Sequence, residues 1–152
     1  MERALQQTID DLEIRRVLAR YSHGVDRRDR DLIISVYWPE AVDHHGSFKG
    51  HGPEFADWVL KQLARERCTV HALAHSLIEF RGEQADVETY FSAHHIRETP
   101  EGDFDYHFNG RYIDLFEKRD GVWKILRREV ASDFNSARKV NGGEAIRAMS
   151  GG

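Results

Sequence analysis

Cysteine is almost missing from this chain: Cys68 is the only one in 152 residues. No internal disulfide can form, and nothing points to an oxidising compartment. Long apolar runs are missing too. None approaches the length of a membrane span, and the N-terminal MERALQQTIDDLEIRR lacks the uninterrupted apolar stretch of a secretory leader. A cytoplasmic protein with no membrane partner is the expectation. Basic charge is not in surplus, with 22 Lys and Arg against 26 Asp and Glu and a net charge of -4, which argues against a nucleic-acid partner. Proline occurs only three times, and no linker or internal repeat divides the sequence, so its length predicts one domain with a single core or pocket. Histidine, by contrast, is plentiful, at nine residues. Its unperturbed pKa lies nearest neutrality, but only the positions of these side chains can decide what they do.

The apolar residues Ile9, Leu12, Val17, Leu18 and Tyr21 recur at helical spacing, so a first helix is expected from Thr8 to about Tyr21, with Thr8 and Asp11 as a capping pair and Gly24 as its end. Asp29 is expected to cap a second, short helix carrying Leu32, Ile33, Val36 and Tyr37 and stopping before Pro39. Asp26 then falls in the junction between the two. AVDHHGSFKG reads as a small strand or hairpin arm, and GPEFADWVLKQLARE as a third helix opened by Pro53, with Phe55, Val59 and Leu63 four apart. From Cys68 onward the period changes to that of strands. Four long β-type segments follow, the last pair joined by RDG, an Asp-Gly hairpin signal. Helices followed by a curved antiparallel sheet make an α+β pattern. One domain over residues 1–134 is expected, with 135–152 as a flexible or loosely docked tail, since that stretch holds few apolar residues and four glycines.

In the first long strand segment, VHALAHSLIEF, alternation places His71, Leu73, His75 and Leu77 on one face. A histidine among leucines is either a satisfied core neighbour or a catalytic base. Metal binding by this pair fails on geometry, because two strand residues four apart are separated by roughly 13 Å and Ala72 stands where a metalloprotease helix would carry glutamate. The adjacent pairs His44-His45 and His94-His95 fail for a different reason, since neighbours on a strand point to opposite faces. No metal is expected. If the first helix packs over the face bearing His71, Asp26 can hold one ring nitrogen and leave the other as a base. Alternatively, Asp26 caps the next helix or pairs with Arg27, Arg28 or Arg30. Tyr21 is either a core aromatic or a donor aimed at developing negative charge. No serine-hydrolase elbow, P-loop or dinucleotide fingerprint is present, so no cofactor is expected.

Taken together, IRRVLARYSHGVDRRD, DHHGSFKGHG, VHALAHSLIEF and GRYIDLFEKRDGVWKILRREVASDF resemble the SnoaL-like branch of the nuclear transport factor 2-like superfamily, near scytalone dehydratase, bile acid 7α-dehydratase and hexachlorocyclohexane dehydrochlorinase. The resemblance implies three helices packed in the concave face of a strongly curved, mostly antiparallel mixed sheet, forming a cone-shaped cavity. It assigns proton abstraction to a dyad of Asp26 and His71, with Tyr21 and Arg128 assisting. One of His94 and His95 matches a further histidine of scytalone dehydratase, and His75 departs from the small amide common in relatives. The expected activity is that of a cofactor-independent, dehydratase-like lyase or an isomerase acting on a small hydrophobic cyclic or polycyclic molecule. Trp38, Phe55, Trp58, His75, Phe91, His95 and Phe108 are the expected substrate contacts, and Trp123 is either cavity wall or plain core. The alternative is a non-catalytic ligand-binding module or the small subunit of a ring-hydroxylating dioxygenase. Relatives assemble through the outer face of the sheet, so a homo-oligomer, dimer or trimer, is also expected.

Overall fold

The computed structural model describes residues 1–140. Helix α1 runs over Glu2–Arg27 and buries Ile14, Val17, Leu18, Tyr21 and Val25 along one stripe. It starts earlier than the expected cap. Thr8 is interior, its hydroxyl donating back to the Ala4 carbonyl at 3.0 Å, and Asp11 pairs with Arg15 one turn on. Ile9 and Leu12, expected in the stripe, are exposed.

Gly24 does not end α1 either. A Cβ there would sit 3.0 Å from the Ile33 side chain, so glycine is present to let α2 approach. The left-handed residue that ends the helix is Arg28, at φ 57°. The amide of Arg28 donates to the Val25 carbonyl and that of Asp29 to the Gly24 carbonyl, closing the last turn. Asp26 is therefore held in the final turn of a helix, and not in a junction.

Helix α2 spans Arg30–Ser35, and the Asp29 carboxylate caps it by accepting from the Leu32 amide at 3.0 Å. Strand β1 (Tyr37–His45) takes in Tyr37, expected in the helix, and Pro39, expected just past its end. Its ladder slips between Tyr37 and Val42, the stretch that includes the one residue lacking an N–H. Strand β2 (Phe48–His51) forms a hairpin with β1, and α3 (Gly52–Leu63) follows with Pro53 in its first turn. The long strands are β3 (Cys68–Arg81), β4 (Gln84–Thr99), β5 (Gly102–Arg119) and β6 (Val122–Lys139). Asp120 and Gly121, both at positive φ, make the expected turn between the last two.

The six strands lie in the order β2-β1-β6-β5-β4-β3, antiparallel except for β1 against β6. The fold is α+β, three helices and a mixed, mostly antiparallel sheet. Helix α1 packs against β3 and β6, and α3 against β1 and β2. Ile14, Leu18, Phe55, Leu63, Phe116, Trp123 and Ile125 belong to one core, so Trp123 is core, its indole N–H donating to Asp10 at 2.9 Å.

Two strand details differ from expectation. Strand β6 continues to Lys139 because β5 reaches back far enough to pair Phe104 with Lys139, so the boundary expected at 134 falls inside a strand. The rest of the expected tail, 141–152, lies outside the described residues. In β3 the register with β4 shifts between Leu73 and Ser76. This bulge reverses the alternation, so that Ser76, Ile78 and Phe80 continue the partly buried side begun by His71 and Leu73, while His75 is exposed.

Candidate active site

The last turn of α1 lies over β3 and lowers the Asp26 carboxylate onto two residues that share one strand face, Thr69 and His71. Its Oδ1 accepts from the Thr69 hydroxyl at 3.0 Å and lies 2.7 Å from His71 Nδ1, while Oδ2 accepts the His71 backbone N–H at 2.9 Å. Backbone and ring of one histidine are thus gripped by one carboxylate, which fixes the orientation of the ring. Burial alone would raise the Asp26 carboxyl, but the bonds from the His71 ring, the His71 amide and Thr69 outweigh it and hold the group below its ordinary value. An ionised Asp26 keeps the proton of a neutral His71 on Nδ1, which leaves the Nε2 lone pair free.

His71 lines a cavity of about 410 Å³. Tyr21, Trp58, His95, Phe91, Phe108 and Tyr112 share its wall with Val25, Val59 and Val130, and the exposed residues Arg65, Ser132 and Asn135 mark the side open to solvent. Of the two adjacent histidines, His95 is the one that faces inward, its ring centroid 5.3 Å from that of His71 and 5.0 Å from Phe108. Burial, and then the neighbouring His71, push His95 down to about 3, so it is a neutral imidazole at physiological pH. His94 is not among the lining residues; it pairs with Asp105 at 2.9 Å and stacks on His107 at 4.0 Å.

Three expected substrate contacts, and Arg128 of the expected catalytic set, do not line this cavity. Phe55 is fully buried and backs the wall, stacked 4.7 Å from His45. Trp38 lies elsewhere, donating to the Glu117 carbonyl at 3.0 Å under the Arg119 guanidinium. His75 is turned out by the β3 bulge and rests 5.2 Å from Tyr90. Arg128 is wholly buried behind the cavity, bidentate with Asp114 at 2.8 and 2.7 Å, its guanidinium 4.1 Å from the ring centroids of both Tyr21 and Tyr112. Burial would strip its charge, but Asp114 first, then Tyr37 and Tyr21, outweigh that and keep it protonated. Tyr21 does line the cavity, and burial pushes its hydroxyl well up, so at neutral pH it is a donor.

Of the lining residues that were not anticipated, one carries an ionisable ring with a carboxylate behind it. His45 faces the cavity from β1, and Asp43, two positions earlier and hence on the same strand side, is buried behind it. The signal in the sequence was this i, i+2 relation. Among the described residues no group of three or more His, Cys, Asp or Glu side chains could hold a metal ion, and no helix is long and apolar enough to cross a membrane.

The sequence profile of the SnoaL-like domain matches residues 6–129. The chain belongs to the SnoaL-like domain family. Comparison with curated proteins gives no significant match. Among solved structures, the SnoaL-like chain resembles a protein of Novosphingobium aromaticivorans DSM 12444 provisionally named a scytalone dehydratase, at 22% identity over 92% of this chain and 95% of that one, with a TM-score of 0.77. It also resembles the hexachlorocyclohexane dehydrochlorinase LinA-type3 of Novosphingobium barchaimii LL02, at 20% identity over 95% and 98% of the two chains, with a TM-score of 0.79. A third neighbour, provisionally named an aromatic ring hydroxylase, again from Novosphingobium aromaticivorans, is 21% identical over 86% and 94%, with a TM-score of 0.76. At these identities the likeness establishes the nuclear transport factor 2-like fold, and the chemistry must be argued from the site.

Proposed function

We propose that this SnoaL-like protein is a cofactor-independent lyase of the dehydratase type, or an isomerase, acting on a small hydrophobic cyclic or polycyclic molecule. The observation that carries the reading is the His71–Asp26 pair at 2.7 Å with its histidine on the wall of a largely apolar cavity. In this reading His71 Nε2 removes a proton beside a carbonyl or next to a leaving group, and Asp26 stabilises the imidazolium that forms. Tyr21 donates to the oxygen on which charge develops. Arg128 acts through Tyr21 and Tyr112, because a cation over two phenol rings favours charge on their hydroxyls and on whatever they bind. His95, neutral and beside the base, shapes the pocket without adding charge.

Screening bicyclic hydroxyketones and steroid-like alcohols for loss of water or double-bond migration tests this reading. Replacing His71 by Ala should then lower kcat by about 10³-fold or more while the fold survives; full activity in that variant would sink the mechanism. A second reading, a non-catalytic ligand-binding module or the small subunit of a ring-hydroxylating dioxygenase, accords with a neighbour named as an aromatic ring hydroxylase. That reading predicts a stable complex with a larger oxygenase chain and no turnover by the chain alone. Self-assembly into dimers or trimers is proposed as well, and light scattering of the purified chain checks it.

A further inference from the structure

The cavity wall opposite in sequence to the dyad, β1, carries a second histidine and carboxylate that the mechanism above does not use. Asp43 is fully buried, and its Oδ2 is fixed by the Tyr37 hydroxyl at 2.6 Å. Its Oδ1 is buried without a hydrogen-bond partner among the described residues, and so is His45 Nδ1; the two atoms face each other at 3.6 Å. Leaving both unsatisfied is costly, whereas a movement of about 0.7 Å would bring them to hydrogen-bond distance. Imidazole is ordinarily a stronger base than a carboxylate, which places the proton that satisfies both on Nδ1. Stacking on Phe55, at 4.7 Å, would be served equally well by an apolar ring and does not explain a carboxylate behind an imidazole. Because Nδ1 is buried and the ring lines the cavity, Nε2 is the ring nitrogen a bound molecule can reach.

We propose that His45, positioned by Asp43, is the acid partner of His71, and that the site is therefore built for substrates that lose a hydroxyl group and not a halide. This rests on the proton-abstracting role of His71. A departing chloride needs no proton, whereas hydroxide is a poor leaving group unless it is protonated as the C–O bond breaks. In the acid form of His45, Nδ1–H points at Asp43 and Nε2–H into the cavity. His71 Nε2 takes the proton from carbon, and the C–H electron pair becomes the new C=C bond. The C–O pair leaves with oxygen, which takes the Nε2 proton of His45 and departs as water. His71 ends protonated and His45 neutral; exchange with solvent through the open side near Ser132 and Asn135 restores both.

Two probes separate the roles: β-hydroxytetralone and β-(para-nitrophenoxy)tetralone, which eliminate to the same naphthol but release water in one case and an aryloxide that needs no protonation in the other. His45→Gln should lower kcat on the hydroxyl probe roughly 10²-fold more than on the aryloxide probe. His71→Ala should depress both alike. Equal loss on both probes in His45→Gln, or no loss, overturns the assignment of His45 and leaves the dyad standing; undiminished rates in His71→Ala would instead remove the dyad. Ring ¹⁵N chemical shifts of the wild-type chain give a readout that needs neither turnover nor a variant. Protonated Nδ1 on His45, lost as the favoured state in Asp43→Asn, is the expected result, and a bare Nδ1 with the proton on Nε2 refutes the proposal.

Discussion

Asp26→Asn keeps the shape of the side chain over β3 and removes its charge and its symmetry. The carboxylate accepts on both oxygens, with Thr69 and the His71 ring on Oδ1 and the His71 amide on Oδ2. An amide has only one oxygen for these donors. If that oxygen turns to the His71 backbone N–H, the NH₂ group meets Nδ1 and donates to it, driving the imidazole proton to Nε2 and occupying the position from which a base must act. If the oxygen turns to the ring, two N–H groups face each other in a partly buried site, at a cost of about 1–3 kcal/mol. The first arrangement is cheaper, so the variant should fold with the wrong tautomer. The same fault in a Ser-His-Asp triad costs about 10⁴ in kcat. Here the expected loss is about 10³ to 10⁴, equivalent to about 4–5.5 kcal/mol of transition-state stabilisation. Steady-state elimination of β-hydroxytetralone measures the loss, and ring ¹⁵N shifts of His71 report the tautomer. A variant within tenfold of wild type, with the proton still on Nδ1, would refute the reasoning.

Asp114→Ala strands the Arg128 cation in a site of zero exposure and should cost about 3–5 kcal/mol in urea unfolding. Asp114→Leu combined with Arg128→Met should recover most of that, so a double variant as unstable as the single one would contradict the account. His95 binds a proton less readily folded, at about 3, than at its ordinary 6.5, so the unfolded chain takes up more protons as pH falls through 6.5 and the fold loses stability. Between neutrality and pH 5 that loss should be about 2 kcal/mol from this residue, and His95→Gln should flatten the slope measured by denaturant titration. Gly110 stands at a register shift of β5 on β6, where an added Cβ would collide with the Ala131 carbonyl oxygen. Gly110→Ala should lower the melting temperature by roughly 5–10 °C, and calorimetry reads it.

Local signals in the sequence carried much of this architecture. Asp29 as a cap, Pro53 at a helix start and Asp120-Gly121 at a hairpin each act through a few neighbouring atoms, so they can be read without knowing the tertiary fold. The approach of Asp26 to His71 was one of several open pairings, and only the resemblance favoured it over Arg27, Arg28 or Arg30. Features set by long-range packing stayed hidden. Gly24 looks like a stop until α2 is seen against it, and His75 looks inward until the β3 bulge reverses its side. Arg128 sits on the inward-facing side of β6, but only the placement of Tyr21 and Tyr112 in front of it keeps it from the cavity. His45 reads as half of an adjacent pair unsuited to a metal, and only the fold shows Asp43 buried behind it and the cavity in front.

The parallel seam between β1 and β6 joins Tyr37 to Ile125 and His44 to Glu129, partners from distant parts of the chain. A ribosome delivers the first strand long before the one that must flank it, so β1 emerges with only the short β2 to hold it. Pairing over such a span is slow because the intervening loop must close first. Asp26 and His71 can meet once β3 has formed, but the wall bearing His45 locks only when the final strand is laid down. A nascent chain would therefore own its base well before it owned a closed room in which to use it.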